Sequence, residues 1–593
     1  MKRFICILLA FLMISPSALL FTKAAGSTEY PFSVSSLINL SDTGKTPGAN
    51  SSHGNHQTRT VHTTHGDYAA YITDSYAEKS TGKTIDKWSL FKIDTEGGTS
   101  EIIFTGEKYY DSSQVSLLVD KDENVWAVTA TSTLSGGTTE GIDCRAYRLD
   151  GTTGEIKSYS AIVAGGAQDG YGYATIYYDK ANDRIIALLA GGDYKEGSST
   201  GASFNWAIFN MSNRRWVRRV YSVKIPSRHC YMSGFVDELG GLMFVAQRDI
   251  KCTSLGYPEI GHSSGLTQED RDYMYDNKIF RWSANYCWDE LDLYYIPDLQ
   301  KTEILTYSIV TADYSRVIGT QSERNTFEKR LTNFYPENQN NNGGDTLLTK
   351  TADGRSLLHV TYNSAYIQAA MYRPVAEESV WYHQVWDVTD PKNAIKLYNG
   401  PIMTENGIAD GVARNGSYSF RLYEDEKGEL YFISVFDPKT EQEFYKDGAV
   451  KYETQYDSLL SVYRVESKGE GYSYQKLPKT VTLPGGGYIL NISSHRGGSL
   501  KDGTVNLLYK DNDGNGDYVF ASLTLSDLEI LLGDINGDGE ANAKDSNLLK
   551  QMIAGSYKAE SGSAPAIAAD VNGDGEISAK DSNLLKQIIS GAL

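Results

Sequence analysis

Seven times along this chain the same short unit returns: an apolar strand-like run, a turn of Asp, Gly and Asn, and a second apolar run. The copies are TRTVHTTHGDYAAYIT from Thr58, QVSLLVDKDENVWAVTA from Gln114, YATIYYDKANDRIIALLA from Tyr173 and RHCYMSGFVDELGGLMFVA from Arg228. DTLLTKTADGRSLLHVTY from Asp345, SYSFRLYEDEKGELYFISV from Ser417 and HRGGSLKDGTVNLLY from His495 complete the set. Two such runs around such a turn form a hairpin, and a hairpin alone cannot bury its apolar faces, so the copies must pack on one another. Most are followed by two more strand-like runs, and the first four starts lie about 57 residues apart. This pattern predicts a mainly β chain built as a seven-bladed β-propeller over residues 26–530. A gap of about 115 residues before Asp345 predicts an insertion in blade four around Lys251–Asn277; an eighth blade hidden there is the alternative. The run SVSSLINL at Ser33–Leu40 is expected to pair into the last blade and remove its open edge.

The hairpin turns resemble the BNR or Asp-box repeats of secreted sialidase-like propellers. After Gly533 the pattern changes to two near-identical loops, DINGDGEANAKD at Asp534–Asp545 and DVNGDGEISAKD at Asp570–Asp581, each followed by the helix-forming run SNLLKQ. Calcium takes six to eight hard oxygen ligands, and a twelve-residue loop offers them from positions 1, 3, 5, 7, 9 and 12. Those positions hold Asp534, Asn536, Asp538, Glu540, Asn542 and Asp545 in one copy, and Asp570, Asn572, Asp574, Glu576, Ser578 and Asp581 in the other. Gly539 and Gly575 fall at the sharp turn, where a Cβ is costly. Two calcium ions are the expected cofactors, and a module with so small a core is expected to need them to fold.

An Asp at position 12 and a helix on only one side of each loop make residues 533–593 resemble a type I dockerin, a small all-α module that docks enzymes onto cohesin domains of a cellulosome scaffold. The resemblance implies that positions 10 and 11 read the cohesin: Ala543 and Lys544 in one copy, Ala579 and Lys580 in the other. Their identity implies a pseudo-twofold surface able to bind in two orientations.

Lys2 and Arg3 ahead of an apolar run to Leu20, with Ala24 and Ala25 after it, form a signal-peptide layout over residues 1–25. The expectation is a secreted, extracellular, cellulosome-associated protein with no membrane partner after cleavage. The formal charge of −19 makes a poor nucleic-acid binder, since phosphates must be met by Lys and Arg. Four cysteines remain after the leader: Cys144, Cys230, Cys252 and Cys287, with their pairing open.

In a propeller the residues opening each inner strand converge although distant in sequence. That ring comprises Arg59 and His62, Gln114, Tyr171 and Tyr173, Arg228, His229 and Tyr231, and His495 and Arg496. Arg, His and Tyr together suit β-elimination on a uronate-containing plant cell-wall polysaccharide: a cation neutralises the carboxylate, a base takes the C5 proton and an acid protonates the leaving oxygen. Arg228 is the candidate clamp, His229 and Tyr231 the candidate base and acid, with His62 and Arg59 in support. Propeller polysaccharide lyases acting on ulvan and rhamnogalacturonan are similar in architecture and in using such residues. Alternation along a strand puts His229 and Tyr231 on one face and Arg228 with Cys230 on the other, so convergence of all three needs a bulge.

Two further readings stand beside this one. A glycoside hydrolase needs two carboxyl groups about 5–10 Å apart, drawn from Asp67, Asp169, Asp193, Glu196 and Asp345. A non-catalytic sugar-binding propeller would stack ligands on Trp126, Trp206, Trp282, Trp288, Trp381 and Trp386. His359 and His383 lie within strand runs as core or channel fillers. DNDGNGD at Asp511–Asp517 looks like a third calcium loop but, joining two strand-like runs, reads first as a tight polar hairpin turn.

Overall fold

The computed structural model describes residues 36–40 and most of 57–251, 286–310 and 338–591. Residues Val34–Leu525 make one compact unit. Its strands form seven antiparallel sheets, each with four strands in meander order, and three of them add a short fifth strand. Two small two-stranded ribbons lie outside the blades. The blades' inner strands are Thr60–Thr63, Ser116–Val119, Tyr173–Asp179, Arg228–Val236, Asn338–Lys350, Phe420–Glu424 and Tyr488–Ile492. The seven-bladed expectation holds. The eighth blade is excluded among the described residues, because Leu242–Lys251 pairs directly with Tyr286–Ile296 and blade four is complete around its insertion. The insertion's own residues lie outside the described ones.

Ring closure follows the sequence expectation. Ser36–Asn39 pairs antiparallel with Tyr518–Thr524, with Ser36 opposite Ser522 and Asn39 opposite Val519, so the N-terminal strand becomes the outer strand of the last blade. Ile38 and Leu40 bury against Tyr71, Phe91, Leu508 and Phe520, joining blade seven to blade one. Apolar clusters of the same kind fill the gaps between the other blades, for example Trp126, Val128, Ile185 and Phe209 between blades two and three. Trp126, Trp206, Trp381 and Trp386 are all packed in such clusters, with at most 5% of their surface exposed. Their side chains alternate onto blade faces that meet a neighbouring blade, which removes them as ligand-stacking platforms. The side chains of Trp282 and Trp288 lie outside the described residues.

The turns are built on aspartates that end the inner strands. Asp120 accepts from the backbone N–H groups of Asp122 and Asn124, from Asn124 Nδ2 and from Trp126 Nε1. Asp179, Asp237 and Asp425 repeat the arrangement with their own turns. Three residues after the turn's first residue the backbone is left-handed: Gly240, Gly354 and Gly428 adopt it freely, while Glu123 holds φ 61° in blade two. Thr504–Lys510 pairs antiparallel with Tyr518–Thr524, and residues 511–516 between them lie outside the described residues.

The segment from Ser526 belongs to a second unit. Helices Ala543–Ile553 and Ala579–Ile589 each begin with a capping box, Asn542 with Asp545 and Ser578 with Asp581. Their core is small: Ile535, Leu549, Ala568, Ala569, Val571 and Leu585. Among the described residues no helix is long and apolar enough to cross a membrane. The leader at residues 1–25 lies outside them.

Candidate functional site

The inner strands are stitched to one another around the channel. Leu117 N–H donates to the Thr58 carbonyl at 2.6 Å, Thr175 Oγ1 to the Met232 carbonyl at 3.2 Å, and Asn491 Nδ2 to the Gln57 carbonyl at 2.7 Å. Contacts also cross the channel: Gln57 Nε2 reaches the Ala174 carbonyl, and Arg496 Nη1 donates to Ser233 Oγ at 2.8 Å.

At the centre of this layer sits Asp345. Arg421 Nη1 donates to its Oδ1 at 2.9 Å, Arg496 Nη2 lies 3.4 Å from the same oxygen, and the Leu422 N–H donates to Oδ2 at 3.0 Å. All three charged side chains are at most 7% exposed. Burial pulls the Arg496 guanidinium down to about 10, and Asp345 opposes the shift. Burial raises the neighbouring Tyr177 phenol. Two guanidiniums facing one carboxylate leave a net positive, buried polar layer inside the channel.

The residues of the sequence-derived ring divide between levels. Arg496 joins this layer, and Arg59 is fully buried, with its backbone N–H donating to Asn491 Oδ1 at 3.2 Å. Gln114 is also buried. Arg228 and His229 open the inner strand of blade four, opposite Asp249 and Arg248; their side chains lie outside the described residues. His62 stands at the other end, beside the turn that closes the blade-one inner strand, with Nδ1 3.0 Å from Asp67 Oδ1. His495 also follows the end of its inner strand; its Nε2 accepts from the Glu424 N–H at 3.1 Å, and burial lowers its pKa. His62 is therefore not brought to the mouth where Arg228 and His229 begin. Tyr171 lies outside the described residues.

The bulge that alternation demanded is present, but one step further on. Register shifts between Cys230 and Ser233, and Tyr231 takes φ 53°, a left-handed conformation costly for a non-glycine residue. Arg228, His229 and Cys230 remain in regular pairing, so Arg228 and His229 keep opposite faces. The Tyr231 ring packs against the apolar cluster between blades three and four.

Sequence reading missed Arg421 and Ser233 and saw Asp345 only as an isolated carboxylate. Registering the repeats on their turn aspartates would have found them: counted back from Asp120, Asp179, Asp237 and Asp425, Ser116, Thr175, Ser233 and Arg421 fall in one column. Of the other hydrolase candidates, Asp67 is held by His62 and by Asn506 Nδ2 at 2.8 Å, and Asp169, Asp193 and Glu196 lie outside the described residues. Cys144 is a buried free thiol, raised well above its ordinary pKa by burial. His359 and His383 are buried, as expected of fillers.

In the second acidic loop the donors gather. Asp570 Oδ1 and Asn572 Oδ1 both accept from the Asp574 N–H, at 3.2 and 2.8 Å, and Asp570 Oδ2 accepts from Gly575 at 2.8 Å. Gly575 has φ 82°, the conformation the turn requires. Asp581 is buried and accepts from the Asn572 and Ser578 N–H groups, and Asp545 does the same for Asn536 and Asn542. Asp538 and Gly539 lie outside the described residues. Among those described, no three His, Cys, Asp or Glu side chains form a ready-made metal cluster; the second loop mixes an Asn amide with its carboxylates, and Asp574 Oδ2 is met by Lys580 Nζ at 2.9 Å. Hard oxygens around a glycine turn fit a calcium ion once that lysine swings away. Ala543, Lys544, Ala579 and Lys580 are all exposed at the helix starts.

No curated protein matches the chain. Among solved structures, a PL25 ulvan lyase bound to -[GlcA(1-4)Rha3S]- is 10% identical, over 82% of this chain and 97% of that one, with a TM-score of 0.43. The α-L-arabinanase of Penicillium chrysogenum with arabinobiose is 9% identical over 69% and 94%, TM-score 0.32. A Trypanosoma rangeli sialidase is 9% identical over 78% and 60%, TM-score 0.32. Residues 532–590 match the dockerin type I domain family, and this segment of the chain is a dockerin type I domain.

Proposed function

We propose that this protein is a secreted cellulosomal subunit that binds a scaffold cohesin through its dockerin and degrades a uronate-containing plant cell-wall polysaccharide by β-elimination at the entry mouth of its propeller. The observation that carries the cellulosomal role is the dockerin domain itself. Ala543–Lys544 or Ala579–Lys580 would face the cohesin, since both pairs are exposed on equivalent helix starts. Calcium ions would be held by Asp534, Asn536, Asp538, Glu540 and Asp545, and by Asp570, Asn572, Asp574, Glu576 and Asp581; bound there, they would neutralise the clustered carboxylates and fix both helices.

The chemistry is supported by the net positive layer of Arg421, Arg496 and Asp345 inside the channel. At the mouth Arg228 would clamp the uronate carboxylate and His229, on the opposite face of the same strand end, would take the C5 proton. Tyr231 would have to swing its ring out of the apolar cluster it packs against to protonate the departing glycosidic oxygen. The C5–H and C4–O bonds break, a C4=C5 double bond forms, and the two protons balance between base and leaving group. Arg59, buried at the start of the blade-one inner strand, would support it. The test is incubation with a uronate-rich polysaccharide such as pectin. New ultraviolet absorbance from an unsaturated uronate, lost in Arg228→Ala and His229→Ala, is the expected result. New reducing ends without that absorbance would overturn elimination in favour of hydrolysis. Binding without either product would leave a sugar-binding propeller.

A further inference from the structure

A second site lies away from the channel, between blades five and six at the ends that carry the strand turns. A cleft of about 950 Å³ opens there, within the size range of ligand pockets. Its walls include Thr349 and His359 from blade five, the rings of Tyr398 and Tyr472, and the charged side chains of Arg464 and Glu466. The two tyrosine rings lie 5.1 Å apart and tilted by 59°.

Behind this wall runs a buried hydrogen-bonded chain. Thr349 Oγ1 lies 3.1 Å from His359 Nε2, His359 Nδ1 lies 3.0 Å from His383 Nε2, and His383 Nδ1 lies 2.9 Å from the Tyr474 hydroxyl. Burial holds both imidazoles neutral at physiological pH, His359 at about 4 and His383 well below its ordinary value. A neutral imidazole has one N–H and one lone pair, so the whole chain can run its donors in either direction. Its cleft end, the Thr349 hydroxyl, can therefore present a donor or an acceptor. Sugar hydroxyls need both, and their C–H faces stack on tyrosine rings.

Charge at the rim cancels: Arg355 and Arg464 are balanced by Glu429 and Glu466. Arg355 is further engaged by Asp353 at 3.0 Å. A rim of this kind gives no advantage to an anionic chain.

We propose that this cleft is an auxiliary binding site for an uncharged oligosaccharide, with the Tyr472 and Tyr398 rings as platform and the Thr349–His359–His383–Tyr474 chain as its adaptable polar wall. It goes beyond the elimination chemistry and does not depend on it. The test is calorimetric titration of the full chain in calcium with xylohexaose, cellohexaose and arabinohexaose, and with a galacturonate hexamer. At least one uncharged hexamer should saturate a single site. Binding should fall tenfold or more both in Tyr472→Ala, which removes a platform ring, and in Ser467→Trp, an exposed lip position that fills the cleft without touching the core. The Ser467→Trp protein should keep the parent's urea midpoint. Tyr472→Ala should lower it, because the ring also packs on His383 at 4.8 Å. Both should keep any activity on pectin. Binding of no uncharged hexamer, undiminished binding in the Ser467→Trp protein, or loss confined to the galacturonate hexamer would each overturn the proposal. Absence of elimination activity would leave the binding result standing, so the two readings fail separately.

Discussion

Asp345 holds two guanidiniums inside the channel, so its charge is worth more than that of any surface carboxylate. Asp345→Asn strands Arg421 and Arg496 together in a dry layer, and is expected to lower stability by about 3–5 kcal/mol, read from urea denaturation of the propeller. A parent-like midpoint would show the layer to be hydrated. The buried histidines give stability a pH dependence of definite sign. His359 falls to about 4 in the folded state from an ordinary 6.5, so between those values the unfolded chain binds the extra proton. Its contribution is present above about 6.5 and lost as pH drops toward 4, amounting to about 3 kcal/mol, with His383 acting in the same direction. The urea midpoint should fall between pH 7 and pH 4.5, and His359→Gln with His383→Gln should flatten that slope. At this scale the sequence was only partly legible. Arg496 showed because it opens a repeat, whereas Arg421 sits mid-strand and acquires meaning only from Asp345, a partner one blade away that ring closure supplies.

The elements were more legible, because hairpins are specified locally by alternation and turn chemistry. Asp120 shows the cost of losing that chemistry: it satisfies Trp126 Nε1 at 2.8 Å along with three turn donors. Asp120→Ala should destabilise by about 2–3 kcal/mol, while Asp120→Asn, which keeps an acceptor, should lose less; equal losses would argue against the indole bond. The closing strand was legible for the same reason, as an alternating run with no partner of its own. Leu40 is fully buried in the seam between blades seven and one. Leu40→Ala should cost about 2–5 kcal/mol and raise dimer content by loosening the last blade's edge, checked by denaturation and light scattering. The bulge after Cys230 and the outer edge of blade three, split into Arg215–Trp216 and Tyr221–Lys224, were not legible, because packing against neighbouring blades decides both.

For the whole molecule, a large β unit with apolar cores between its blades and a small helical unit with six core residues should respond differently to chelation. Calcium removal is expected to abolish the helical circular-dichroism signal and cohesin binding while the propeller's thermal transition stays in place. Retained helicity in chelator would contradict the calcium assignment. The dockerin was readable because its duplicated loops repeat one pattern of residue type and spacing; the charged layer of the channel was not, because Asp345, Arg421 and Arg496 come from separate blades. Elimination itself is tested most directly by the mass of the product. With pectin in heavy-oxygen water, cleavage by this protein should yield unsaturated oligosaccharides carrying no solvent oxygen, since C4–O breaks without water addition. One heavy oxygen at each new reducing end would mean hydrolysis and contradict the account.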